Sequence, residues 1–336
     1  MLAFFVRRFL SLLPTLALVL VIVFSLVRLI PGDPAVTLLG PGATDNQIAA
    51  LRLQLNLDAP AVMQFWHYVI GLVHGDLGVS LKSGQPVLNE IMLRLPATLE
   101  IAVAAVLAAI VIGTPIGVLS ATRPNSGFDH SIRILSLTGV SMPAFLLALV
   151  LQLIFATWLG WLPVSGRMSS YVFVDHVTGF AVIDAWLSGE PGAVRSALLH
   201  MVLPVTVLAA FLAATLGRFV RATMLETLAE DYVRTARAKG LTRREVVYRH
   251  ALRTSLLPAI TVVGLKFAEM LGGAILTETI FSWPGIGRFM FEAIRNRDYP
   301  VIQGATLVFA LLFMLTSLMV DLMYALLDPR VRRKMN

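Results

Sequence analysis

The chain has no cysteine, and only 14% of its 336 residues are charged, about half the usual share of ~25% for a soluble domain. The first absence excludes a disulfide scaffold. The second excludes an ordinary soluble enzyme surface, because 57% hydrophobic residues and a mean hydropathy of +0.80 leave too little polar surface to cover a globule. Catalytic signatures are missing as well. There is no G-x-x-x-x-G-K-[ST] loop to cradle nucleotide phosphates, no H-E-x-x-H zinc helix and no G-x-S-x-G nucleophile turn. The six histidines (67, 74, 130, 176, 200 and 250) are scattered near loops and span ends, with no metal-ligand spacing.

What the chain has is long apolar runs. A helix needs about 20 apolar residues to cross a ~30 Å hydrocarbon core, and runs of that kind lie at 9–30, 99–120, 134–159, 201–216 (extending to 220), 256–276 and 301–327. They are continuous rather than alternating, so they predict helices and not barrel strands. The expected fold is an all-α polytopic membrane protein with six transmembrane helices. The first run is too long for a signal-peptide core and no small-x-small site follows it, so it is expected to remain as a span.

Basic residues orient such a chain. Arg7, Arg8, Arg123, Arg133, the cluster from Arg218 to Arg253 and the tail Arg330, Arg332, Arg333 and Lys334 fall on the side of both termini. That side, predicted cytoplasmic, comprises 1–8, 121–133, 221–255 and 328–336; the outer side holds loops 31–98, 160–200 and 277–300. The net charge of +7 is therefore a topology signal, and binding of nucleic acid is not expected. Trp66, His67, Tyr68, Trp161, Tyr171, Phe173 and Trp186 in the outer loops suit the membrane–water interface.

The 221–255 loop carries the most pattern. Leu225, Leu228, Tyr232, Val233 and Ala236 recur at helical spacing, which predicts one helix over 225–239 with Glu230 and Arg234 as an i,i+4 pair. Gly240 reads as the residue after a helix C-terminus, and Thr242-Arg-Arg-Glu245 as a capping box opening a second helix. A short amphipathic helix with a fixed turn suits a groove on another protein, or else lies on lipid headgroups.

In the fifth run, Lys266 and Glu269 share one face. Charges at mid-membrane cost ~2.5–3.5 kcal/mol on insertion scales, so they are expected to face a bundle interior or a wet cavity, either as a structural ion pair or bond to a neighbouring span or as the lining of a solute path; Glu278, Glu100 and Asp321 are weaker candidates. Pro115, Pro143, Pro204 and Pro258 are expected to kink their helices. Gly113/Gly117 and Gly272/Gly273 would allow close helix contact. Trp283-Pro-Gly-Ile-Gly287 reads as a rigid turn at the outer end.

The segment Tyr232-Val-Arg-Thr-Ala-Arg-Ala-Lys-Gly240-Leu-Thr resembles the EAA loop in permease subunits of bacterial binding-protein-dependent ABC importers. The likeness is to the peptide/nickel branch and, within it, to B-type permeases of dipeptide systems. It extends to Ile30-Pro-Gly-Asp-Pro-Ala35, Gly75-Asp-Leu-Gly-Val-Ser80, Arg94-Leu-Pro-Ala-Thr-Leu-Glu100, Leu162-Pro-Val-Ser-Gly-Arg167, Ile275-Leu-Thr-Glu-Thr-Ile-Phe-Ser-Trp-Pro-Gly-Ile-Gly287, Arg297-Asp-Tyr-Pro300 and Asp328-Pro-Arg330. The chain departs from the general EAA pattern, with Arg234-Thr235-Ala236 where Glu-Ala-Ala stands and Arg253 at the proline position, so Ala236 and Gly240 alone carry over directly.

The resemblance implies a type I ABC importer permease in the bacterial inner membrane, itself without catalytic or cofactor site. Its partners would be a second, similar permease, two cytoplasmic ATPases that bind ATP and Mg, and a periplasmic peptide-binding protein. The ATPases would be met through Glu230, Asp231, Arg234, Thr235, Ala236, Arg237, Lys239 and Gly240; for such a permease, the alternative that the intramembrane charges line a path makes Lys266, Glu269 and Glu278 the candidates for contact with peptide. Competing expectations are a secondary ion-coupled transporter using Lys266 and Glu269, or a permease of the same family carrying nickel, glutathione or haem.

Overall fold

The computed structural model describes residues 2–29, 33–40, 42–54 and 57–327. Ile30-Pro-Gly32 and Asp328-Pro-Arg330, two of the segments that carry the resemblance, thus lie outside the described residues. In chain order the helices are α1 (Leu2–Leu29), α2 (Pro34–Leu39), α3 (Asp45–Gln54), α4 (Ala61–Val73), α5 (Val87–Thr122), α6 (Gly127–Ser141), α7 (Ala144–Leu151), α8 (Ala181–Ser188), α9 (Ala193–Ala229), α10 (Asp231–Ala238), α11 (Arg243–Glu245), α12 (Leu252–Gly273), α13 (Ile275–Ile280), α14 (Ile286–Asn296) and α15 (Tyr299–Leu327). Wider π-type turns continue α7 through Gln152–Trp158 and join α11 to α12 through Val246–Ala251. Among the described residues the strand-like pairing is one bridge, Val79 to Pro86.

Two parallel helices form the spine. At 1.5 Å rise per residue, α5 and α9, with 36 and 37 residues, are each about 55 Å long, more than a bilayer core requires. Both therefore project beyond the apolar runs 99–120 and 201–220. A buried four-residue ladder on α5 (Ala97, Ile101, Ala105, Ala109, Gly113, Gly117) meets one on α9 that includes Met201, Ala209, Ala213 and Gly217. Small side chains let the backbones approach. A Cβ added at Gly113 would stand 2.7 Å from the carbonyl oxygen of Ala213, and one at Gly117 the same distance from that of Gly217. The close contact expected of Gly113 and Gly117 is made, in the way small residues bring membrane helices together. Gly272 differs, being exposed with nothing within 4 Å of an added Cβ; on α12 it is Gly264 that packs, against Val320 of α15.

Among the described residues, four helices are long and apolar enough to cross a membrane: Val87–Thr122, Ala193–Ala229, Arg243–Gly272 and Tyr299–Met323. Leu13–Leu29 of α1 and Ala144–Trp158 are apolar but shorter. The run at 134–159 is not one helix. Pro143 has no N–H and restricts the residue before it, so α6 stops at Ser141 and α7 restarts with Pro143 as its N-cap. Pro115, Pro204 and Pro258 sit inside unbroken helices.

The outer-loop motifs are folded together at one end of the bundle. Asp298 accepts hydrogen bonds from Ser80 Oγ (2.6 Å), Leu81 N (3.1 Å) and Lys82 N (3.2 Å), joining the Gly75–Ser80 and Arg297–Pro300 motifs across more than two hundred residues. Glu100 binds Arg167 at 2.6 Å and accepts from Val182 N, while Arg167 also donates to Gly179 O, which straps the 160–200 loop onto α5. The Trp283 turn lies between α13 and α14. Trp283 is fully buried and its indole N–H donates to Ala97 O at 2.8 Å.

Candidate coupling site

The opposite end holds the α9–α12 connection. α9 runs on to Ala229, past the start of the helix expected over 225–239, and Glu230 (φ −65°, ψ 148°) breaks it before α10 begins. The expected single stripe is therefore divided. Leu225 and Leu228 belong to α9, whereas Val233 and Ala236 of α10 are buried against Val246 with Leu228 and Leu241 around them. Tyr232 lies on the open side, its hydroxyl 3.3 Å from Thr254 Oγ1. Glu230 caps rather than extends α10, so the expected Glu230–Arg234 pair is replaced by Asp231–Arg234 at 3.4 Å, with both side chains exposed.

The turn after α10 is fixed by its own chemistry. Gly240 takes φ +80°, and the bonds Leu241 N to Ala236 O and Gly240 N to Arg237 O close a Schellman motif, with Leu241 and Ala236 in the same apolar cluster. Thr242 and Glu245 then form the expected capping box, each side chain accepting from the other's backbone N–H. Arg243 donates to Thr122 O at 2.5 Å, tying this turn to the end of α5. A cavity of about 510 Å³ behind α10 is lined by Thr122, Leu225, Leu228, Arg237, Arg243 and Val247.

Of the residues read from the sequence as coupling residues, Glu230, Asp231, Arg234, Thr235, Arg237, Lys239 and Gly240 are exposed, Arg237 at the rim of that cavity, and Ala236 is buried beneath them. The apolar side of α10 is consumed inside the chain. What it offers outward is charge and hydroxyl, which suits a polar protein surface better than a bilayer.

The residues read as path residues are not gathered with one another. Lys266 and Glu269 pair at 2.5 Å on an open side of α12, their side chains 40% and 66% exposed in the single chain. Glu278 is fully buried, accepting from Thr98 Oγ1 (2.7 Å) and Arg288 N (2.9 Å). An apolar groove of about 500 Å³ runs between α5, α9, α12 and α15, lined by residues such as Val106, Ile110, Leu216, Ile260, Phe267 and Val320. Among the described residues no three His, Asp or Glu side chains cluster as metal ligands.

Sequence reasoning passed over a buried ion pair beside the coupling site. Asp129, at the start of α6, accepts from Arg221 Nε (2.6 Å) and Nη2 (2.7 Å) and from Asn125 N, and Ser120 Oγ also donates to it. The Arg221 guanidinium holds its carboxyl well below the usual carboxylate range. The available signal was Ser126-x-x-Asp129, a cap pattern ahead of an apolar run, and Asp129 N does donate to Ser126 Oγ.

A bundle of long apolar helices, with folded motifs at one end and a locked polar helix at the other, defines a multi-pass membrane component. Comparison with known proteins makes this specific. Residues 113–333 match the family described as binding-protein-dependent transport system inner membrane component, and 1–102 match that family's N-terminal region. The chain belongs to this family and is a multi-pass inner-membrane protein. It is 46% identical over 338 residues to the dipeptide transport system permease protein DppB of Escherichia coli strain K12, covering 99% of this chain and all of that one. It is likewise 46% identical over 335 residues, with the same coverage, to the di/tripeptide permease DppB of Pseudomonas aeruginosa. A solved chain of the MetNI methionine ABC transporter, caught facing inward, shares the fold with a TM-score of 0.53 at 16% identity, over 69% of this chain and 93% of that one.

Proposed function

We propose that this chain is the permease subunit of an ATP-driven importer that carries dipeptides or short oligopeptides inward. It crosses the inner membrane six times with both termini cytoplasmic, and encloses the path with a second, similar permease. Two ATPases bind ATP and Mg and dock on α10, and a periplasmic binding protein delivers the peptide. The chain itself is non-catalytic. The observation that carries this reading is the α10 surface: an exposed polar helix locked by a Schellman turn, a capping box and the Val233–Ala236–Val246 cluster onto the ends of α9 and α12. Held this way, motion of a docked ATPase passes to the spans as a rigid-body shift. The peptide relatives support the cargo class.

The exposed Lys266–Glu269 pair supports a role in the path. A bare charge pair facing lipid is costly, whereas facing a wet path shared with a second permease it meets the ammonium and carboxylate of a zwitterionic peptide. Isolation in mild detergent tests the assembly: two ATPases and a second permease are expected to co-purify, and loss of both ATPases on Gly240→Val would fit docking at this turn. Co-purification of neither chain would refute the reading. Uptake of nickel or haem in preference to peptide would refute the cargo.

A further inference from the structure

The geometry points to Asp129 and Arg221 as positioning residues that weld α5, α6 and α9 to the coupling loop, so that these elements move as one body during transport. The inference rests on the proposed docking at α10. Arg221 lies two turns before the end of α9, on the helix that leads directly into α10. It grips Asp129 with a two-pronged contact, Nε at 2.6 Å and Nη2 at 2.7 Å, a fork that fixes orientation as well as distance. Asp129 is fully buried and holds the chain on both sides of the α5–α6 turn, through Ser120 Oγ at the end of α5 and Asn125 N in the turn itself.

Two further ties close the ring. Arg243 of the coupling loop donates to Thr122 O, two residues along from Ser120, and Ser255 Oγ of α12 donates to Thr227 Oγ1 of α9 at 3.1 Å. Gly117 packs directly on Gly217 and Val220, one turn from Arg221, leaving no room for the helices to slide. A push on α10 thus reaches α6 through the ion pair and α5 through both Ser120 and Thr122. Without the pair, this end of α6 loses its buried tie to α9, keeps the four-residue turn from α5 and its side-by-side packing on α9, and could lag behind α9.

Two measurements test this on the assembled transporter. The chain has no native cysteine, so single cysteines at His130 on α6 and Arg244 on α11, both exposed and outside the docking residues, in complex with cysteine-free partner chains, give one spin-label pair. The expected result is a narrow distance that stays the same with and without ATP, while a reference pair across the two permeases changes. A His130–Arg244 distance that shifts through the cycle overturns the proposal without any change at the pair. In proteoliposomes, Asp129→Asn is expected to raise ATP consumed per peptide imported by roughly fivefold or more, with Arg221→Lys in between because it keeps charge but loses the fork. Uptake and hydrolysis falling in step, at an unchanged ratio, would mean a merely structural pair. If instead the wild-type complex consumes ATP without importing peptide, the docking reading itself fails.

Discussion

The α5–α9 contact permits a sharp test by adding one carbon atom. At Gly117 a Cβ would meet Gly217 O at 2.7 Å and Val220 Cβ at 2.8 Å, where ordinary contact begins near 3.4 Å. Neither neighbour can swing aside, since one is backbone and the other is the root of a fully buried side chain. Gly117→Ala therefore forces the helices apart. Overpacking of this kind costs about 1–3 kcal/mol, and replacing a mid-helix glycine by alanine returns only about 0.5–1 kcal/mol, so a net loss of about 1–2 kcal/mol is expected. Gly272→Ala is the internal control: it lies in a helix with nothing within 4 Å, so it is expected to be neutral or slightly stabilising. Unfolding of the purified chain in mixed micelles, titrated with a denaturing detergent, reads both variants. A Gly117→Ala chain as stable as wild type, or a Gly272→Ala chain that loses as much, would refute the ladder-on-ladder packing.

Three further outcomes are expected. Gly240→Ala forces a side chain into φ +80° at a cost of about 1–2 kcal/mol with no clash; peptide imported per ATP should fall while membrane insertion is normal, and an unchanged ratio in proteoliposomes would argue against the turn's role. Lys266→Leu leaves Glu269 without its partner; uptake kinetics should change at normal expression, and identical rate and half-saturation with labelled dipeptide would make the pair structural. Asp129 has a depressed carboxyl pKa, so its contribution to stability is complete above its ordinary value of 3.8 and is lost as pH falls through the lower folded value. Unfolding midpoints measured from neutral pH downward should stay level to about pH 4 and then fall, and Asp129→Asn should lower the plateau and flatten that acid limb.

Much of this architecture was legible in local chemistry. Apolar runs marked the long helices, and the turn after α10 was readable because Gly240 and the Thr242–Glu245 pair act within a few residues. The break at Glu230 was not readable. Neither glycine nor proline marks it, and α10 stands apart from α9 because Val233 and Ala236 turn toward Val246, a tertiary contact. Pro143 divides a run into two helices, whereas Pro204 sits within continuous α9. The ion pairs that organise both ends, Asp129 with Arg221 and Glu100 with Arg167, join residues 92 and 67 positions apart, a separation that no periodicity encodes.

The account's central claim is that separate ATPases drive peptide through this chain by way of α10. Labelled dipeptide uptake into proteoliposomes, with the ATPases, the second permease and the binding protein supplied or withheld one at a time, tests it most directly. Uptake is expected only with the full set and ATP, and it should survive an ionophore. Accumulation by this chain alone, or uptake that needs no ATP and collapses with the ionophore, would contradict it.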